Sequence, residues 1–232
     1  MKQIIQIIIL LIFYGCGYTL YGVALNTTKN DSIISGSYSN RFINEIPLDN
    51  IPESIIFIIA DGTGIGQYTT SFYSNGDFAP ARFDHIGLVT THPDDGSKKV
   101  TDSAASGTAL ATGYKTYNGA ISVDHNKRPI KTIVEWAEEK NMKTGLVATS
   151  TITHATPACF GAHVDYRKKE GEIARQLAES KIDVLLGGGK EFWNEEIINI
   201  LEKNGGNYFS QFESINQTEK RVVGLFSDGP LP

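Results

Sequence analysis

Ile55-Ile56-Phe57-Ile58-Ile59-Ala60-Asp61-Gly62-Thr63-Gly64 is the stretch that decides the fold. Its apolar residues run without alternation over the length of one strand. That pattern predicts a strand from Glu53 to Ala60 buried on both faces, as in a parallel sheet. Asp61-Gly62-Thr63-Gly64 breaks the run and leaves a carboxylate at the carboxyl end of the strand. Further strands are expected at Gly87 to Thr91, Thr144 to Ser150, Ile182 to Leu186 and Val222 to Phe226. Helical patterns cover Ser103 to Thr112, closed by Gly113, and Ile130 to Lys140, stopped by Asn141. Two more span Lys169 to Ser180 and Glu191 to Asn204. Strands and helices alternate at βαβ spacing, which predicts an α/β domain with a mainly parallel central sheet flanked by helices. In such sheets ligands gather at the carboxyl ends of the strands.

The chain has 232 residues and a formal net charge of −5, so a nucleic-acid partner held by phosphate neutralisation is not expected. Small phosphorylated substrates need only a local basic group and stay open. Lys2 precedes an apolar run from Ile4 to Tyr14, too short to span a bilayer and suited to a signal peptide. Gly22-Val23-Ala24 suits cleavage after Ala24, giving a signal peptide over residues 1–24. Cys16, after Gly15, offers lipid attachment instead, and only that route implies a membrane partner. An uncleaved anchor is a third option. All three imply export, to a periplasm, a cell surface or the extracellular space. Residues 25–50, rich in Ser, Asn and Thr, read as a flexible linker, and the folded domain is expected over residues 51–232. With Cys16 removed or lipidated, Cys159 has no intrachain disulfide partner. Asn26, Asn30 and Asn216 each begin an Asn-x-Ser/Thr triplet.

Several side chains are candidates for chemistry. Ser103 stands after Asp102 at the start of an expected helix, where backbone N–H groups and the macrodipole favour negative charge. Its hydroxyl is either a nucleophile or a helix cap, and the cap is the commoner use. Asp61 is either a cap or a metal ligand. His154-Ala155-Thr156-Pro157 follows a strand end and reads as a turn before a helix, with Thr156 as cap and Pro157 at the first helical position. It also supplies polar groups for a metal site. Arg167 has the fork geometry that grips phosphate through two parallel hydrogen bonds. Gly187-Gly188-Gly189-Lys190 lacks the spacing of a phosphate-binding loop and reads as a turn. Asp124-His125, before Asn126-Lys127-Arg128-Pro129, reads as a loop.

Taken in order, Asp61-Gly62-Thr63-Gly64, Thr101-Asp102-Ser103-Ala104-Ala105-Ser106, Gly113-Tyr114-Lys115-Thr116-Tyr117-Asn118-Gly119, Ala155-Thr156-Pro157 and Arg167 closely resemble the alkaline phosphatase family. Order and spacing agree over roughly residues 53–190, and the Asp-Ser-Ala-Ala-Ser segment is the most specific part. The resemblance implies hydrolysis of phosphate monoesters through a phosphoserine intermediate, with two zinc ions and a magnesium as cofactors. It implies that Ser103 is the nucleophile, Asp102 positions the arginine and Arg167 holds two phosphate oxygens. Asp61 would bridge a zinc and the magnesium, Thr156 would be a magnesium ligand, and His154 would stand at a variable position beside the magnesium. Two zinc ions about 4 Å apart stabilise the attacking and leaving oxygens of an in-line displacement. A homodimer is likewise implied only by the resemblance.

The family's remaining ligands lie in its C-terminal half: an acidic magnesium ligand, an Asp-x-x-x-His pair, an Asp-His pair and a late histidine. Here all five histidines fall between His85 and His163, and after Arg167 the only aspartates are Asp183 and Asp228. Asp124-His125 lies on the wrong side of Arg167 to supply the pair. The expectation is therefore a fragment of a full-length enzyme, or a truncated product, that binds zinc poorly. Its parent would be an active phosphomonoesterase and the isolated chain inactive. The competing readings are another hydrolase of the wider superfamily, which the Asp-Ser-Ala-Ala-Ser context disfavours, and a non-catalytic protein that at most binds phosphate or metal weakly.

Overall fold

The structure, a computed structural model, describes residues 7–14, 54–75, 79–215 and 221–232. The cleavage point after Ala24, Cys16, the linker over 25–50 and the triplets at Asn26, Asn30 and Asn216 lie outside the described residues. Among the described residues six strands form one sheet: β1 (Ile7–Tyr14), β2 (Ile56–Asp61), β3 (Lys143–Thr151), β4 (Val184–Gly188), β5 (Gly206–Phe209) and β6 (Arg221–Leu225). The spatial order is β2-β1-β3-β4-β6-β5, and each neighbouring pair is parallel. Six α-helices accompany it: α1 (Ile65–Asn75), α2 (Ser103–Thr112), α3 (Ile133–Glu139), α4 (Ala155–Gly161), α5 (Glu170–Glu179) and α6 (Glu195–Lys203). The expected α/β class with a parallel sheet is the one observed.

The apolar run read as part of a targeting segment is, over Ile7–Tyr14, a strand paired on both sides, with β2 and with β3. An unbroken run of branched apolar residues meets the needs of an inner parallel strand as well as those of a leader. β2 corrects one expectation. It is an outer strand of the sheet with one edge unpaired, and its two faces differ in burial: Ile59 is buried, while Ile56 and Ile58, on the other face, are 62% and 52% exposed. Gly87 to Thr91 forms no strand; the Lys115 ammonium instead holds this extended segment by donating to the carbonyls of Thr90 and His92. The helix expected from Ile130 starts at Ile133, because Thr132 and Glu135 form a reciprocal capping box. α4 begins at Ala155, so its cap position is His154 rather than Thr156.

The core lies between the sheet and the helices. Leu146, Leu185, Val223 and Leu225 from the strands meet Ile173, Leu177 and Leu201 from α5 and α6, all fully buried. Each such side chain contributes about 2 kcal/mol of transfer free energy. At the far side of the sheet Arg221 binds four acceptors at the end of α5. Its Nε and Nη1 donate to Ile182 O and Ala178 O, both at 2.8 Å, and Nη2 donates to Leu177 O and Ser180 Oγ. A cation there also complements the negative end of the helix.

Candidate active site

The parallel sheet brings the ends of β2 and β3 to one edge, and the starts of α2 and α4 face it. Asp61 is the last residue of β2. Gly62 follows it with φ +70°, a left-handed turn that aims the chain away from the carboxylate. α2 starts immediately after Asp102, whose Oδ1 accepts from Ala105 N at 2.9 Å. Asp102 is thus the cap, and the cap role expected of Ser103 falls to its neighbour. Ser103 is the first helical residue. Its Oγ donates across 42 residues of sequence to Asp61 Oδ1 at 3.3 Å.

Thr156, on the first turn of α4, donates through Oγ1 to Asp61 Oδ2 at 2.9 Å. One carboxylate therefore ties the end of β2 to the starts of two helices. Those helices approach closely because their contact is lined by small residues: a Cβ placed on Gly107 would lie 3.0 Å from Cys159 Sγ. Cys159 is buried and donates to Ala104 O at 3.2 Å. Burial pushes its thiol up to about 12, so it is no nucleophile at ordinary pH.

Arg167 completes the group. Its backbone N–H donates to Gly119 O at 2.8 Å, and Nη1 reaches Asp102 Oδ2 at 3.2 Å. Nη2 lies 3.0 Å from His154 Nε2. Burial first, and the Arg167 charge second, hold the His154 imidazole below the usual histidine range. The residues singled out from the sequence therefore fall into two hydrogen-bonded sets, Asp61 with Ser103 and Thr156, and Arg167 with Asp102 and His154, joined where Asp102 precedes Ser103 and where His154 precedes α4. Asn118 is a member that sequence reasoning did not assign. Its Oδ1 accepts from Asp102 N at 3.0 Å and its Nδ2 donates to Val100 O, which anchors the residue before the serine. Nothing in an Asn-Gly turn advertises that use.

The other candidates lie elsewhere. Asp124 is taken up by Arg128, and His125 faces Asp94 at 3.1 Å. Gly189 N and Lys190 N both donate to Ser227 O, so these two amides of the glycine run are engaged within the fold. The His163 ring sits between Ser122 O and Glu135.

The alkaline phosphatase family model matches residues 53–232. Alkaline phosphatase 4 of Bacillus subtilis is 43% identical over 197 residues, which cover 77% of this chain and 42% of that protein. Alkaline phosphatase 3 of the same organism is 40% identical over 228 residues, 90% of this chain and 49% of that protein. Among solved structures, alkaline phosphatase from the Antarctic bacterium TAB5 superposes with a TM-score of 0.69 at 38% identity. The match covers 75% of this chain and 53% of that one. A variant of the TAB5 enzyme was solved with Mg bound in its M3 site. The chain spans about half the length of the curated relatives it matches.

The donor chemistry at Asp61 bears on the metals those relatives imply. Asp61 Oδ2 and Thr156 Oγ1 present two hard oxygens at one point, a set that suits magnesium. Zinc asks for several imidazole, thiolate or carboxylate donors. Among the described residues no three His, Cys, Asp or Glu side chains converge, and His154 Nε2 faces a guanidinium. The residues present fit the oxygen character of a magnesium site and do not fit a zinc pair.

Proposed function

The chain belongs to the alkaline phosphatase family, and on that premise we propose that the whole protein hydrolyses phosphate monoesters, with Ser103 as phosphoryl acceptor. The observation that carries this reading is the Ser103 hydroxyl at the first position of α2, aimed at Asp61 and next to the residue that grips Arg167. Ser103 Oγ attacks phosphorus, its proton leaves to solvent, and the bond from phosphorus to the ester oxygen breaks, that oxygen taking a proton from solvent and leaving as an alcohol. Water then cleaves the phosphoserine and frees phosphate. Asp61 Oδ1 orients the hydroxyl by accepting its hydrogen bond. The Arg167 fork and the start of α2 hold the negative charge of the phosphoryl oxygens. Asp61 and Thr156 would hold magnesium, whose charge would strengthen the field around the carboxylate. No step here is routed through zinc.

A second reading is favoured by the donor set: the 232-residue chain by itself binds phosphate but turns over no ester. One carboxylate, two hydroxyls and an imidazole already engaged by arginine supply little to activate a serine at neutral pH. One experiment addresses both. The chain is incubated with a labelled phosphate monoester, quenched in acid, and Ser103 is examined for phosphate while released alcohol is followed. Label on Ser103, lost in Ser103→Ala, together with turnover supports the enzyme. Phosphate binding with neither label nor released alcohol supports the second reading, and label on a residue other than Ser103 defeats the assignment of the nucleophile. Export and a homodimer are part of the same proposal, the first resting on Lys2 and the apolar run behind it; because that run also forms β1, the folded unit proposed over residues 51–232 is joined in the sheet by Ile7–Tyr14.

A further inference from the structure

Ile7–Tyr14 has two uses for one backbone. In the sequence it is the greater part of the apolar run behind Lys2, and in the fold it is β1. We infer that the two uses exclude each other: the folded sheet holds this segment as an inner strand and so withholds it from a membrane. The inference rests on the export proposed above, which gives the run its second use.

The register shows how fully the segment is engaged. Ile9–Tyr14 pairs with Ile56–Asp61 on one side, and Ile7–Ile12 pairs with Lys143–Ala148 on the other. The backbone from Ile9 to Ile12 is therefore paired along both edges. A strand rises about 3.3 Å per residue and a helix about 1.5 Å. A single segment in hydrocarbon satisfies its peptide groups only as a helix, so a run that enters a bilayer must give up its extended pairing. The exchange is a refolding of the segment, not a tilt of a finished element.

The place of β1 in the sheet ties that refolding to the rest of the fold. β1 stands between β2 and β3, and among the described residues β2 has no other strand beside it. Withdrawal of β1 opens an edge on β3 and leaves β2 unpaired on both edges. α4 also lies against β1. β2 ends in Asp61, and α4 carries Thr156, which donates to that carboxylate. The segment that would enter a membrane thus also braces the strand that presents Asp61. A chain still able to reach a membrane is one in which this part of the sheet has not closed.

Hydrogen exchange read by mass spectrometry on the full 232-residue chain tests this, with vesicles of mixed phosphatidylcholine and phosphatidylglycerol as the membrane probe. In the native chain, peptides covering residues 7–14 and 56–61 should exchange about a hundredfold more slowly than in the unfolded chain, and the chain should not float with the vesicles. Chain diluted from urea into vesicles should in part float with them. In that bound fraction residues 7–14 should stay slow, while 56–61 and 143–151 should exchange as in the unfolded chain. Fast exchange at 7–14 in an otherwise protected native chain would overturn the inference. So would a floating fraction in which 56–61 and 143–151 remain slow, because the sheet would then have closed with its strand in the membrane. Protection at 7–14 in the native chain, with no flotation after dilution from urea, is a separate result. It would uphold the strand and sink the export reading of Lys2 and its run, and the exclusion with it.

Discussion

Asp102 divides its two oxygens between a helix and an arginine, and Asp61 divides its own between two hydroxyls. Such shared acceptors explain why no single site residue was decisive in the sequence. Alone, a serine at a helix start reads as the cap, and that role belongs instead to Asp102. What the cap leaves free is the neighbouring Ser103 hydroxyl, and only Asp61, Thr156 and Arg167 in series gave it a chemical meaning. The Asn118 and His154 contacts are long-range in sequence, at 16 and 13 residues, and follow no local period. A separate aspartate carries the pH dependence. Hydrogen bonds from Lys127 and then Lys169 lower Asp165 from 3.8 to about 2. A carboxylate depressed in the folded state adds stability above its unfolded pKa and loses it as the pH falls through the folded one. Its share is present above pH 3.8 and fades toward pH 2. Thermal unfolding followed from pH 5 to pH 2 should therefore show a shallower acid decline in Asp165→Asn than in the parent. Equal slopes would show that the lysine contacts do not act in solution.

Among elements, α2 and α4 decide the shape of the site, because their separation sets how Ser103 and Thr156 straddle Asp61. A side chain at Gly107 must push on Cys159, whose Sγ and Cβ would lie 3.0 Å and 3.3 Å from an added Cβ, while Thr156 Cα at 3.6 Å closes the other side. Gly107→Val is expected to cost about 1–3 kcal/mol in urea unfolding. Gly66→Ala on α1, with open space around it, should change stability by less than about 1 kcal/mol and serves as control. Elements with strong end signals were legible: Asp102 and Gly113 bound α2, and Asn141, at φ +57°, follows the end of α3. Others carried no such signal. β5, Gly206–Phe209, is four residues long and opens on a glycine. α1 has no acidic residue in its first turn and no basic one in its last. α4 holds a proline at its third residue, which reads as a helix start when the true start lies two residues earlier. β1 and a leader demand the same composition, so pattern alone does not separate them.

At the scale of the molecule, the sheet is wholly parallel, so every neighbouring pair is joined by a crossover and the catalytic candidates are gathered from distant parts of the chain. Asp61 and Thr156 stand 95 residues apart and touch. The apolar Ile56 and Ile58 lie on one face of β2, the strand that also carries Asp61. The opposite end is closed by Arg221, and here a charge acts as a latch on the whole fold. Trypsin must draw an arginine side chain into its own pocket to cut after it. In the native protein that side chain is bound to Leu177, Ala178, Ser180 and Ile182. Cleavage after Arg221 should thus be slow under native conditions and should accelerate with urea in step with global unfolding, as read by mass spectrometry. Rapid native cleavage there would mean that the latch opens on its own. Arginine, ordinarily an invitation to the protease, becomes at this position a gauge of whether the sheet is still shut.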